Sequence, residues 1–248
     1  RTDVDIGIEK RTEMLKQLLE SIKQAHHFEE LLKRMNAKGY EVVLSQNEKD
    51  ALAEIIKQTD NANNALWEKQ SGEILSALTE SVNMYPCGED LGANLPCLPA
   101  VLDRNGILAL RVIRWSRRWN ETGQPFIPFS EFTPLSVATT SVHDSPTLRQ
   151  WWQEDKTAVR LFIEGNSRYF GSINADYPFS AETAEALLKA SSQAASVWCI
   201  DPLQDFLDME KTYWLEKPED ERVNTPGSVN DFNWTYRIPS TLESLSND

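Results

Sequence analysis

Several things are scarce in this chain, and each shortage excludes something. Histidine and cysteine occur three times each in 248 residues. Cys87, Cys97 and Cys199 form no C-x-x-C pair and leave one thiol over, which fits neither a zinc ribbon nor a disulfide framework. Reduced thiols in a cytoplasmic protein are the expectation. His26 and His27 read as solvated helix residues, because a metal centre needs further ligands at a usable spacing. Positive charge is short as well: 25 Lys and Arg stand against 38 Asp and Glu, a formal charge of −13. Nucleic acid is bound through a basic face, so it is excluded as a partner. No apolar run approaches the roughly 20 residues of a membrane-spanning helix, and no signal-peptide pattern opens the chain. Glycine-rich phosphate loops and nicotinamide or pyridoxal motifs are also lacking, so no cofactor is expected. The chain begins at Arg1 rather than at a methionine, and it is expected to belong to a longer protein.

What is present is ordinary globular material, with 40% hydrophobic and 25% charged residues, enough for a sizeable core. Residues 1–64 read as a helical region, possibly an insertion. Thr12 to Ala37 carries an apolar stripe at helical spacing, closed by Lys38-Gly39. Ser45-Gln46-Asn47-Glu48 resembles a capping box and opens a second helix through Ile56. Asp60-Asn61-Ala62-Asn63-Asn64 reads as a polar break before a third helix over about Leu66 to Ser81.

From Val82 the pattern becomes strands alternating with helices. Strands are expected over Val82–Cys87, Leu108–Trp115, Leu135–Val142 and Ser196–Ile200. Helices are expected over Pro96–Asn105, from Pro146 through Trp152 and over Ser180–Gln193, with residues 120–134 a long irregular loop. Acids close three of the strands: Glu89-Asp90, His143-Asp144 and Asp201. A parallel barrel presents its chemistry at strand ends in this way. Four βα units are half of a (β/α)8 barrel, so the fold class expected is α/β, the second half of a TIM barrel over residues 65–248, preceded by the helical region. Two carboxylates at strand ends make glycoside chemistry the natural class. An acidic protein suits a neutral polyhydroxylated ligand, which is held by hydrogen bonds and stacking.

Several segments in order then resemble one family. They are Gly88-Glu89-Asp90-Leu91-Gly92, Leu110-Arg111-Val112-Ile113-Arg114-Trp115, and Ser136–Trp152 with its Ser-Val-His-Asp-Ser core. Pro202-Leu203-Gln204-Asp205 follows, then Asn224-Thr225-Pro226-Gly227-Ser228-Val229 and Asn233-Trp234-Thr235-Tyr236-Arg237. Over about residues 65–245 the chain resembles the C-terminal half of a 4-α-glucanotransferase, the amylomaltase or disproportionating-enzyme family (glycoside hydrolase family 77). The resemblance implies a retaining enzyme on a (β/α)8 barrel that passes α-1,4-glucosyl or maltosyl units between maltodextrins, or to glucose, in starch or glycogen metabolism. It implies Glu89 as general acid/base and Asp144 as stabiliser of the oxocarbenium-like transition state. His143 and Asn233 would contact substrate, and Trp115 would line the site. The family's nucleophile, an Asp in an Arg-x-Asp-His motif, is matched only in part by Arg1-Thr2-Asp3, so it is expected in the missing N-terminal half of the barrel.

Further expectations attach to these residues. Partial burial and nearby carboxylates should keep Glu89 protonated, and Arg111 and Arg114 should pair with carboxylates and keep Asp144 ionised. Asp90 is a cap or an arginine partner, and Asp201 and Asp205 position loops. Trp115, Trp119, Phe126, Phe129 and Phe132 are candidates for stacking on sugar, with the 120–134 loop a partial lid. Trp151 and Trp152 belong to the core. Competing functions are an α-glucan hydrolase of the related amylase clan and a catalytically silent glucan-binding fragment.

Overall fold

The computed structural model describes residues 45–92, 95–119 and 121–245. The helix expected over Thr12–Ala37, His26, His27 and Asp3 lie outside the described residues. The chain divides into two compact units, Arg1–Ala77 with Asn94–Val101, and Leu78–Ala93 with Leu102–Asp248.

Helix α1 spans Gln46–Glu80, 35 residues. Its start follows the capping-box reading: the Ser45 backbone N–H donates to Glu48 Oε2 at 2.8 Å, and the Glu48 N–H donates back to Ser45 Oγ at 3.4 Å. The expected break at Asp60–Asn64 is absent, and the helix continues through it. The reason is energetic. That stretch holds neither glycine nor proline, and Asn or Asp costs a helix only about 0.7 kcal/mol per residue, too little to interrupt cooperative propagation.

The second unit is built on a sheet of four parallel strands in sequential order: β1 (Cys87–Gly88), β2 (Leu108–Val112), β3 (Ser136–Thr139) and β4 (Trp198–Cys199). The register pairs Cys87 with Leu108, Ala109 with Ser136, and Val137 with Trp198. β2, β3 and β4 lie inside the expected spans and are shorter than them, whereas β1 shares only Cys87 with the expected Val82–Cys87. The first is cut most, because Pro86 has no N–H to give a ladder; its carbonyl instead accepts Leu108 N at 2.9 Å.

The crossovers differ in kind. Helix α2 (Leu98–Arg104) joins β1 to β2, and Gly106, at φ +64°, ends it in the left-handed turn that glycine adopts without strain. Between β3 and β4 run α3 (Leu148–Glu154), α4 (Lys156–Gly165), α5 (Ser167–Phe170) and α6 (Ala181–Ser191). Thr147 caps α3 and Ser180 caps α6, each accepting the N–H three residues on. After β4 come α7 (Leu203–Leu207) and, near the end, α8 (Leu242–Leu245). Among the described residues the β2–β3 connection holds one 3-10 turn, Phe129–Glu131, and an isolated antiparallel bridge between Arg117 and Phe126.

The phenylalanines of that connection turn inward. Phe126, Phe129 and Phe132 are buried in the main core with Trp151, Trp152, Phe162, Phe170 and Phe179. Phe129 makes edge contacts with the rings of Phe132, Phe162, Tyr169 and Phe170 at 5.1–6.4 Å. Its N–H reaches Asn166 Oδ1 at 3.1 Å, and its carbonyl accepts Ala195 N at 2.9 Å. A phenylalanine every third residue, between Pro125, Pro128 and Pro134, suits an extended or 3-10 backbone with three residues per turn. Such a backbone sends all three rings to one side. Core packing therefore takes the three phenylalanines that the sequence offers as sugar platforms, while Trp151 and Trp152 are core residues as expected.

Candidate active site

Because the four strands are parallel, their C-terminal ends share one edge of the sheet, the edge where open and closed α/β sheets bind ligands. Glu89 follows β1 directly, Trp115 lies three residues beyond β2, and His143 and Asp144 lie just beyond β3. The topology thus brings Glu89, Trp115, His143 and Asp144 to one end, with β2 between the two acids.

At the end of β1 the adjacent carboxylates separate. Asp90 is half-buried: its Oδ1 accepts Leu110 N at 3.0 Å, and its Oδ2 accepts Arg111 Nη1 at 2.8 Å. Asp90 is the arginine partner. Glu89 is exposed, not partly buried as expected, because β1 is an edge strand with one neighbour. Gly92, at φ +74°, turns the chain away after it.

The end of β3 is gripped from several sides. Asp144 Oδ1 accepts Asn224 Nδ2 at 2.5 Å, the Asp144 carbonyl accepts Arg222 Nη2 at 3.3 Å, and the His143 carbonyl accepts Asn224 N at 3.1 Å. Asp144 Oδ2 lies 3.4 Å from His143 Nε2. The His143 ring faces Trp234 at 5.3 Å between centroids, tilted by 35°. Trp234 is 64% exposed and has φ +68°, a conformation bulky residues rarely take outside functional sites.

Asn233 contributes to this edge through the loop that contains it. Its Oδ1 accepts Thr225 N at 3.1 Å and its Nδ2 donates to the Ser228 carbonyl at 3.1 Å, while Trp234 N donates to the Val223 carbonyl at 2.7 Å. These bonds fold residues 223–234 so that Asn224 reaches Asp144 and Trp234 reaches His143. Trp115 is half-buried in the turn after β2. Trp119 remains exposed, with the Arg117 guanidinium 5.7 Å from its ring.

Neither arginine of the second strand serves Asp144. Arg111 holds Asp90, and Arg114 is buried, with Nε on the Thr140 carbonyl at 3.2 Å and its guanidinium 5.4 Å from the Trp151 ring. Among the described residues its two terminal nitrogens find no hydrogen-bond partner, and burial pushes the Arg114 pKa down to about 10. β2 ends at Val112, so Arg111 stands on the strand while Arg114 stands in the turn beyond it, and the two side chains meet different surroundings.

Behind the strap lies a buried charge cluster. Arg149 Nε reaches Glu221 Oε2 at 3.0 Å, its Nη2 reaches Glu221 Oε1 and the Leu215 carbonyl, and it passes 3.9 Å from Asp208. Burial, with Glu221 and then Asp205 adding repulsion, pushes the Asp208 carboxyl up to about 8. Burial also raises Glu221. Sequence reasoning singled out neither Asn224, Arg222, Trp234 nor this cluster as functional. The signal for Asn224 and Trp234 was their place in the Asn-Thr-Pro-Gly and Asn-Trp segments, since a turn sequence followed by an Asn-Trp pair marks a shaped surface loop; Arg222 lies two residues before the first of these.

Known proteins resemble this chain. Residues 21–243 match the family model described as 4-alpha-glucanotransferase. A 4-alpha-glucanotransferase of Chlamydia pneumoniae is 35% identical over 178 residues, which cover 72% of this chain and 33% of that protein. A rice (Oryza sativa subsp. japonica) protein, 4-alpha-glucanotransferase DPE2, is 33% identical over 189 residues, 74% of this chain and 19% of its own length. In structure the chain resembles an amylomaltase from Streptococcus agalactiae, solved in complex with acarbose, with a TM-score of 0.51, 21% identity, and coverage of 71% of this chain and 32% of that one. The chain spans about a third of the length of the chlamydial relatives it matches. With the family model matched over residues 21–243, most of its length, the chain belongs to the 4-alpha-glucanotransferase family, glycoside hydrolase family 77.

Proposed function

We propose that this chain is the acid/base-bearing part of a retaining 4-α-glucanotransferase, acting on α-1,4-glucans or maltooligosaccharides. The observation that carries the reading is the common edge of one parallel sheet, with exposed Glu89 after β1 and the strapped Asp144, beside the His143–Trp234 ring pair, after β3. Residues 65–248 would then form the C-terminal half of a (β/α)8 barrel, with residues 1–64 a helical addition. The other half, and with it an aspartate nucleophile, would come from the rest of a longer protein, as the coverage of about a third of the relatives' length suggests.

In this reading Glu89 donates its proton to the glycosidic oxygen while the nucleophile attacks the anomeric carbon, releasing the shortened glucan. The glycosyl group stays on the enzyme as an ester. Glu89, now a carboxylate, takes the proton of an acceptor sugar hydroxyl as that oxygen displaces the ester. Asp144 opposes the positive charge that develops at the anomeric carbon in both steps. Trp234 and His143 present an apolar face with polar edges on which a sugar ring stacks, and this favours a sugar acceptor over water. Asn233 acts on substrate through the loop it closes, and Trp115 lines the neighbouring wall.

Incubating the full-length protein with maltotriose tests the proposal. Transfer gives a ladder of longer maltodextrins; glucose and maltose alone would mean hydrolysis and refute transfer. Residues 1–248 alone are expected to show no transfer, and measurable activity of that piece would bring the nucleophile inside it.

A further inference from the structure

The segment from Val142 to Thr147 carries His143 and Asp144, yet it has no regular secondary structure. Its shape comes from its ends. Asp205, on α7, is fully buried. Its Oδ2 accepts the Thr140 hydroxyl at 2.5 Å and the Ser141 hydroxyl at 2.9 Å, just before the segment begins. Its Oδ1 accepts the Leu148 N–H at 3.1 Å, just after the segment ends. One carboxylate therefore closes the loop, whose own internal bonds centre on Ser145: Val142 N to Ser145 Oγ, Ser145 N to the Val142 carbonyl and Ser145 Oγ to the same carbonyl, each at 3.0 Å. A neighbouring acid, Asp201, takes Thr140 N at 2.8 Å but reaches only the first end.

We propose that Asp205 is a positioning residue for the glycosyl-transfer reaction: it fixes Asp144 by fastening both ends of the loop that carries it. The inference rests on the reading of Asp144 as the charge that opposes the transition state. Preorganised charge acts only where it is held, and a displacement of about 1 Å can cost about 100-fold in rate. Asn224 grips the Asp144 side chain from the far side, but that grip sets the carboxylate only if the backbone beneath it stays still. Asp205 holds that backbone without approaching the substrate.

The test uses the full-length enzyme and the variants Asp205→Ala and Asp205→Asn, each also combined with Asp144→Asn. Amide hydrogen exchange over residues 140–148 should rise at least about tenfold in Asp205→Ala, with the rest of the protein unchanged. In maltotriose disproportionation kcat should fall about 10- to 100-fold, with KM within about threefold of the parent. Asp205→Asn keeps one oxygen for the Leu148 N–H and should lie between the parent and the alanine variant. On an Asp144→Asn background, Asp205→Ala should cost no more than about a further twofold, because the group it positions is already gone.

Unchanged exchange in the 140–148 segment overturns the proposal, and so does a fully additive loss in the double variant. If Asp144→Asn alone leaves turnover intact, the reading of Asp144 falls and this proposal falls with it. If Asp144→Asn abolishes turnover and Asp205→Ala does not, only the proposal falls. Should Asp205→Ala fail to fold, Ser141→Ala and Thr140→Val each remove one strut, and each should lower kcat about three- to tenfold with KM held; no loss in either sinks it.

Discussion

Both β3 and β1 end in acids, but β3 is buried at all four of its residues, while β1 has two residues, one exposed and one half-buried. After β3, Asp144 is held by Asn224 and Arg222 and undergirded by Asp205. After β1, the structure spends its contacts on Asp90, through Arg111 and Leu110, and leaves Glu89 exposed. The difference follows from position in the sheet. An interior strand finds neighbours on both sides within this chain, so its end can be bolted from both sides. An edge strand finds one neighbour and gives the acid beyond it only a foundation. Under the proposed mechanism the two acids also need different things: a fixed charge must not move, whereas a group that gives and retakes a proton needs reach.

The largest effects should separate the two ends by chemistry. In the full-length enzyme Glu89→Gln should lower turnover of maltotriose about 10²- to 10⁴-fold, the usual worth of a positioned proton donor, while KM changes little. Near-normal turnover on maltotriose would remove Glu89 from the acid/base role. Next in size are losses of foundation, read as unfolding free energy. Arg149→Met leaves Glu221 buried without its cation and should cost about 3–5 kcal/mol. Arg111→Met, which breaks the more accessible pair with Asp90, should cost about 1 kcal/mol or less. Equal losses from the two would erase the contrast between the strand ends. A third comparison sets Phe129→Ala, at about 3–5 kcal/mol, against Trp119→Ala, within about 0.5 kcal/mol. Chemical denaturation of the same full-length protein measures each.

How much of this was legible in the sequence differs between the same two regions. The four strands and the acids that follow them come from local pattern, since strand, turn and acid adjoin in the chain, whereas the split between Glu89 and Asp90 came from the resemblance to the family's motif. Distance in sequence hid the rest. Asn224 meets Asp144 from 80 residues away, and Glu221 meets Arg149 from 72; no periodicity announces such a pairing. The three phenylalanines of residues 126–132 went the other way. Their three-residue spacing marks one buried side, but their place in a proline-rich loop suggested a surface. The Asp60–Asn64 stretch resembled a break because polar residues cluster there, yet nothing in it stops a helix.

The last comparison concerns the buried anchorage behind β3 and depends on pH. Asp208 is buried beside Glu221 and Asp205, and its carboxyl is pushed up to about 8 in the folded protein, against about 3.9 for an unperturbed aspartate. Between those values the native state keeps a proton that the unfolded chain has released. Its contribution to stability is therefore full below about pH 4, declines as pH rises, and is lost once pH passes about 8. Burial raises Glu221 in the same direction, so the two slopes add. Asp208→Asn carries no titrating group at that position. Its thermal midpoint should fall less than the parent's between pH 5 and about pH 8.5, and at the upper end the variant should be the more stable of the two. Parallel midpoints across that range would mean that the anion of Asp208 is already compensated by Arg149, 3.9 Å away. The cluster behind Asp144 would then hold its charges as firmly as an ordinary ion pair.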